Sequence, residues 1–292
     1  MSLLNPGLLT RLKRTRLVTR TAFPASGIGE RQSRNKGAGL EFEDYREYQP
    51  GDDIRHLDPH VYSRLGTHVV RQFALSQQLQ VTVLVDCSKS MDAGSPSKHT
   101  VALQLAAMMA YMSAAGGDRV SVAKYASGQL HWFPAFSNAR QTAELFRWLE
   151  SGDASGETAL QQLAQKSATG LQAGGMLIVI SDWLAPDFRE AINTWRSRGQ
   201  EIVGLQVLTP EELDPAEAGR GPLVMSDAET GAELEITLNE ASLASYRKVL
   251  NDWLTTLRQE LRGFAGHHFL VRTDSSLEHD VLADWQRNRL VR

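Results

Sequence analysis

The feature that most constrains this chain is a set of short, apolar, β-branched runs set apart by helix-length segments. QVTVLVD (80–86), GMLIVIS (175–181), EIVGLQVL (201–208) and HFLVR (268–272) are strand-sized. No run reaches the 18 apolar residues that a membrane span needs. The runs are nearly continuous in apolar character, which suits strands buried on both faces. Helical patterns fall between and around them at 97–117, 138–150, 158–168, 187–198, about 240–262 and about 277–288. RVSVAKYA (119–126) and QLHWF (129–133) flank Ser127-Gly128 and read as a hairpin. Strands alternating with helices predict an α/β fold: a doubly wound, mostly parallel sheet with one antiparallel edge. Residues 222–237 alternate around Glu229-Thr230-Gly231 and predict a β-hairpin inserted at about 209–239.

The first 75 residues differ in kind. Residues 23–40 are rich in Gly and Ser, and 40–60 are dense in charge and tyrosine around a Pro50-Gly51 turn. The expected division is an N-terminal segment, 1–75, wrapped on a sheet domain, 76–292. Residues 1–36 hold eight Lys/Arg against one acid, Glu30, so they carry +7 and leave −10 to the rest of a chain whose net charge is −3. A basic helix at 8–18 lying on the acidic body fits this better than a nucleic-acid arm, because no aromatic interleaves the basic residues. Contact of this segment with a membrane surface is the less favoured reading. A single cysteine, Cys87, forbids an intrachain disulfide. With no signal-peptide pattern, it points to a reducing, cytoplasmic setting.

Three predicted strand ends or helix starts carry oxygen ligands. The first strand runs into Asp86-Cys87-Ser88-Lys89-Ser90, whose alternating residues can turn one carboxylate and two hydroxyls together. Gly156-Glu157-Thr158 places another hydroxyl at a helix start, and Ser181-Asp182 closes the strand at 175–181. In a doubly wound sheet, ligands gather beyond the carboxyl ends of the strands. Hydroxyls, carboxylates and water suit Mg²⁺ or Mn²⁺.

DCSKSM, GETAL and ISD resemble the metal-ion-dependent adhesion site of von Willebrand factor A domains. With GLEFEDYREYQPGDDIRHLD (39–58), Ser63-Arg64 and SDAETG (226–231), the series resembles the bacterial family called domain of unknown function 58. That resemblance implies a metal held by Asp86, Ser88, Ser90, Thr158 and Asp182. It also implies a MoxR-type AAA+ ATPase as partner, or a client protein that the ATPase remodels. Two departures lie outside the metal loops: Pro59 follows Asp58 where the family has tryptophan, and Leu75–Gln78 lacks a glutamate often seen there.

Arg46, Tyr48, Gly51, Asp52, Asp53, Arg55, Asp58 and Arg64 make up a family signature that reads as an ion network or an interaction surface. His56, Asp58, His60 and His68 are a weak zinc candidate, and His267-His268 reads as core or solvent. Cys87 reads as a packed side chain without a base to activate it. A phosphatase using Asp86 would need an acid two residues on, where Ser88 stands. The function expected is a noncatalytic, metal-dependent adaptor to which a partner supplies a carboxylate. The alternatives are a metal-dependent hydrolase, or a peripheral membrane adaptor acting through the basic segment.

Overall fold

The segments read as strands and helices form in the expected order. The computed structural model describes residues 3–20, 40–52, 54, 57–75, 78–219, 221–226, 232–263 and 265–292. Asn5 caps α1 (Pro6–Leu12): its side chain accepts from the Leu8 amide, and Pro6 opens the helix. α1 stops at Leu12 instead of Val18. From there the chain extends along its own C-terminal end, where Leu17 bridges Val291 and Arg16 exchanges backbone hydrogen bonds with Arg292. Leu4, Leu8 and Leu12 are buried in the core of the sheet domain, while Arg11, Lys13 and Arg14 are exposed.

Residues 24–78 form a compact unit of their own, whereas the residues up to 23 group with the sheet domain. The boundary therefore differs from the expected 1–75/76–292 division. Its cause is local: the leucines of α1 join the core of the body, while the later segment closes its own ladder. There β1 (Leu40–Glu47), α2 (Pro59–Leu65) and β2 (Val69–Leu75) follow one another, with β1 antiparallel to β2. Asp58 caps α2 by accepting from the His60 and Val61 amides.

The sheet domain continues with β3 (Gln80–Asp86), α3 (Lys98–Gly116), β4 (Arg119–Ala126), β5 (Gln129–Phe136), α4 (Thr142–Leu149), α5 (Leu160–Ala168), β6 (Met176–Ser181), α6 (Phe188–Arg196) and β7 (Glu201–Leu208). After these come α7 (Pro210–Leu213), the hairpin β8 (Gly221–Ser226) and β9 (Glu233–Leu238), α8 (Glu240–Arg262), β10 (His267–Arg272) and α9 (Leu282–Arg287). The turn residues 227–231, within the SDAETG segment, lie outside the described residues. The six-stranded sheet has the order β10-β7-β6-β3-β4-β5. Its strands are parallel except for β5, which runs antiparallel to β4 at one edge.

Alternation along each strand sorts the core into two layers. Val81, Val83 and Val85 pack with α1, α3, α4 and α9; Leu84, Leu177 and Val179 pack with α5, α6 and α8. α3 is apolar on nearly every side and is correspondingly buried along most of its length, ending at Gly117 with φ 88°. β5 runs to Phe136, past the expected end at 133, and includes Pro134. An edge strand tolerates proline because one side of its backbone needs no partner, and a register shift between Val120 and Val122 absorbs the irregularity. The β4–β5 turn has Ser127 at φ 48° and Gly128 at φ 71°, the positive pair that a two-residue hairpin uses. No helix among the described residues is long and apolar enough to cross a membrane.

Candidate metal centre

β3 and β6 are neighbouring parallel strands, so Asp86 and Ser181, their last residues, come out side by side. Ser181 Oγ donates to Asp86 Oδ2 at 2.7 Å, and the Ser88 amide donates to Asp86 Oδ1 at 2.9 Å. Two backbone hydrogen bonds strap the second loop to the first: Ser155 N to Cys87 O at 2.7 Å and Lys89 N to Gly156 O at 2.8 Å. Gly156 has φ 83°, and a Cβ there would stand 2.5 Å from Ser127 Cα, so only glycine lets the loop lie this close to the β4–β5 turn. α5 begins at Leu160, two residues beyond Thr158, which leaves the threonine in the loop.

The result is a triangle of hydroxyls. Thr158 Oγ1 lies 2.8 Å from Ser88 Oγ and 3.1 Å from Ser90 Oγ, and the two serine oxygens are 3.1 Å apart. Ser90 Oγ in turn donates to Asp182 Oδ2 at 3.0 Å. All five residues expected at the site converge, from three separate loops.

Three participants were not expected. Lys98, in the first turn of α3 and 1% exposed, sets its Nζ 3.0 Å from Asp182 Oδ2 and 2.6 Å from Glu212 Oε1. Glu212 closes a capping box on α7, its other oxygen accepting from Thr209 N at 2.8 Å. Gln206 Nε2 donates to the Asp182 carbonyl at 2.8 Å, and Gln206 Oε1 meets His268 Nε2 at 2.9 Å, a buried relay from β10 through β7 to β6. A lysine at the start of an all-apolar helix was the available signal for Lys98, since burying that helix leaves its ammonium little water.

Burial pushes the Asp86 carboxyl up to about 6, and the nearby Asp182 charge adds to the rise. Burial works against the Lys98 ammonium, but Asp182 and Glu212 outweigh it and hold its pKa above the ordinary value. Burial and the Asp86 charge push the Cys87 thiol up to about 12, so it stays protonated and unreactive. Beside these loops, a cleft of about 400 Å³ is lined by Cys87, His99, Lys124, His131, Trp148 and Asp153, among others.

Burial first, then Arg258 and Arg262, push His268 down to about 4 from 6.5. Between those values only the unfolded chain takes up the proton, so this histidine makes stability fall as pH falls from 6.5 toward 4. At pH 5 the expected loss is about 2 kcal/mol. Urea unfolding of wild type and His268→Gln at pH 7.5 and pH 5 measures it: the variant should lose about that much less stability between the two pH values than the wild type, and an identical loss would refute the assignment.

The signature residues belong to the 24–78 unit. Arg46 pairs with Asp52 at 2.8 Å, and Asp52 also accepts from Gln49 N at 2.8 Å, which with the arginine holds its carboxyl below the ordinary range. Tyr45 Oη donates to Asp58 Oδ2 at 3.0 Å, Tyr48 N donates to His68 O, and Gly51 takes φ 111° in the turn. Arg64 is exposed in the last turn of α2. Asp53 and Arg55 lie outside the described residues, as does His56. The zinc reading finds no support: Asp58 is a helix cap, His68 stacks on Tyr62 at 4.2 Å, and among the described residues no three His, Cys, Asp or Glu side chains gather to hold a metal.

A doubly wound sheet in this order, with an antiparallel edge strand and hydroxyls and carboxylates gathered over its central strand ends, defines a von Willebrand A-like domain. The chain belongs to the family described as "Protein of unknown function DUF58", which it matches over residues 44–252. Uncharacterised proteins of Mycobacterium tuberculosis and Mycobacterium bovis are each 25% identical to it over 288 residues, covering 96% of this chain and 88% of theirs. Among solved structures, BatB from Bacteroides thetaiotaomicron shares 18% identity at a TM-score of 0.46, covering 73% of this chain and 98% of its own. The von Willebrand A domain of SpRpn10 shares 8% identity at a TM-score of 0.40, covering 71% and 95%. At these scores the likeness adds nothing to what the strand order already says.

Proposed function

We propose that this chain is a noncatalytic protein-binding adaptor whose hydroxyl triangle holds Mg²⁺ or Mn²⁺ and whose partner completes the site with a carboxylate. The observation that carries the reading is the triangle itself, with sides of 2.8, 3.1 and 3.1 Å. Metal–oxygen bonds of about 2.1 Å at right angles place neighbouring oxygens about 3.0 Å apart, so the three hydroxyls match one face of an octahedral oxygen shell. Asp86, Ser88, Ser90 and Thr158 would hold the ion. Asp182 would reach it through water, since its oxygens already accept from Ser90, Lys98 and the Leu184 amide.

A divalent ion bound there supplies positive charge that neutral hydroxyls do not cancel, which is what a partner carboxylate recognises. Lys98 lies on the same carboxylate and reduces the negative charge the site can set against that ion. The neighbouring cleft offers room for the partner's adjoining side chains. The family resemblance supports a MoxR-type AAA+ ATPase as partner, or a client protein that such an ATPase remodels; nucleic acid is not expected, since no aromatic interleaves the basic residues of the first 36 positions. A protonated Cys87 and the serine two residues after Asp86 favour binding over catalysis.

Titration with MgCl₂ tests the metal. The melting temperature should rise saturably, because an ion binding only the folded state stabilises it, and Ser88→Ala should remove most of that rise. A flat calorimetric trace with both Mg²⁺ and Mn²⁺ would overturn the reading.

A further inference from the structure

β10 runs parallel to β3 and β6, so its first residues lie at the opposite end of the sheet from the hydroxyl triangle. A cavity of about 260 Å³ opens there, lined by Arg20, Arg262, His267, His268, Phe269 and Asn288. Three distant parts of the chain build it: the extended segment after α1, the junction of α8 with β10, and the residue after α9. Among the described residues no carboxylate lines it.

The nearby acids are already engaged. Glu201 accepts the Arg20 amide with both oxygens, at 3.1 and 3.0 Å, and Asp284 Oδ1 accepts from the Asn288 and Arg287 side chains. Among the described residues neither Arg20 nor Arg262 forms an ion pair. His267 is 4% exposed, and its Nε2 has no hydrogen-bond partner. His268, by contrast, spends its Nε2 on Gln206. Burial pushes the His267 imidazole down to about 4, and the Arg20 and Arg262 charges push in the same direction. The described lining thus brings together two arginines and two imidazoles, with the Glu201 carboxylate held on the Arg20 backbone amide beside it.

We propose that this cavity is a second binding site, for a phosphate group, clamped by Arg20 and Arg262 with His267 Nε2 as an additional donor. Planar guanidinium forks match the oxygens of a phosphate pairwise. A dianion answers two arginines where a carboxylate answers one. The volume leaves space beyond the phosphate, so free phosphate and a small phosphomonoester are both admissible sources. The site shares none of the proposed metal ligands and stands whether or not a metal binds there.

Calorimetry on the full chain at pH 7.5 and constant ionic strength tests it, with inorganic phosphate, glycerol phosphate, acetate and chloride as separate titrants. Saturable binding of either phosphate compound is expected, with acetate and chloride much weaker. The tighter of the two phosphates identifies the source. Arg20→Ala and Arg262→Ala should each weaken binding about tenfold or more. Arg262→Lys should weaken it less, since it keeps the charge and loses the fork, and Arg140→Ala, elsewhere on the surface, should match the wild type. Both cavity arginines are exposed, so these variants should fold, which a melting curve verifies. Absence of saturable phosphate binding, equal affinity for acetate, or unchanged affinity in the Arg20→Ala/Arg262→Ala double variant would each overturn the proposal.

Discussion

Replacing Lys98 with methionine is expected to destabilise the protein by about 3–5 kcal/mol, the range typical of removing one member of a buried ion pair. The lysine side chain is 1% exposed, and its partners Asp182 and Glu212 are 5% and 26% exposed. Methionine nearly preserves the volume, so the loss isolates charge from packing. What remains is a buried Asp182 carboxylate facing Asp86, with no ammonium between Asp182 and the second acid. The deep position of Asp182 is what makes the effect large, since an exposed pair would contribute about 0–1 kcal/mol. The proposed metal site adds a second expectation. Mg²⁺ should restore more stability to Lys98→Met than it adds to the wild type, because the ion then supplies the counter-charge that Asp182 lost. Urea unfolding of both proteins in Mg²⁺ and in EDTA measures both effects. Equal stability of the two proteins in EDTA would show that Lys98 is not the counter-charge that keeps this pair of carboxylates buried.

The parts of this molecule that could be read from its sequence are those set by short-range patterning. Four apolar runs became β3, β6, β7 and β10, and the Asp86–Ser90 and Ser181–Asp182 loops met because parallel strands deliver their carboxyl ends to one edge. The Thr158 loop, which connects α4 to α5, is strapped to the first by backbone hydrogen bonds. The basic segment was harder. Its leucines at 8 and 12 continue one helical stripe, but nothing local says that the chain leaves the helix after Leu12 to pair with residues 290–292. Lys98 and Glu212 are 114 positions apart. Lys98 opens a helix whose apolar character hints at its burial but not at its partners, and Glu212 falls where the inserted segment was expected to begin. Their pairing depends on α3 and α7 both starting near the end of β6, a tertiary fact without a local sequence pattern. Gln206 was similarly hidden, one polar residue in an apolar strand whose amide bonds the Asp182 carbonyl and His268.

The partner interaction should depend on the same loops. If the proposed MoxR-type ATPase is the partner, Thr158→Ala and Asp86→Ala are each expected to weaken its binding about a hundredfold in Mg²⁺, equivalent to about 2.7 kcal/mol. The threonine variant is the cleaner of the two. It removes one hydroxyl from a loop whose backbone is held independently by the Ser155–Cys87 and Lys89–Gly156 hydrogen bonds, so the fold should survive. Asp86→Ala also orphans the Ser88 amide and the Ser181 hydroxyl, and should lower stability by about 1–3 kcal/mol in addition. The binding loss has a common origin in both. Without the ion, a partner carboxylate reaching the site leaves water and finds hydroxyls but no cation, and uncompensated desolvation of a charge is costly. EDTA should therefore reduce wild-type binding to the level of the variants and leave the variants nearly unaffected. A hydrolase would behave otherwise, losing turnover while partner affinity stayed the same. Surface plasmon resonance with wild type and both variants, each in Mg²⁺ and in EDTA, separates these outcomes, and one affinity across all six measurements would sink the metal-bridged adaptor.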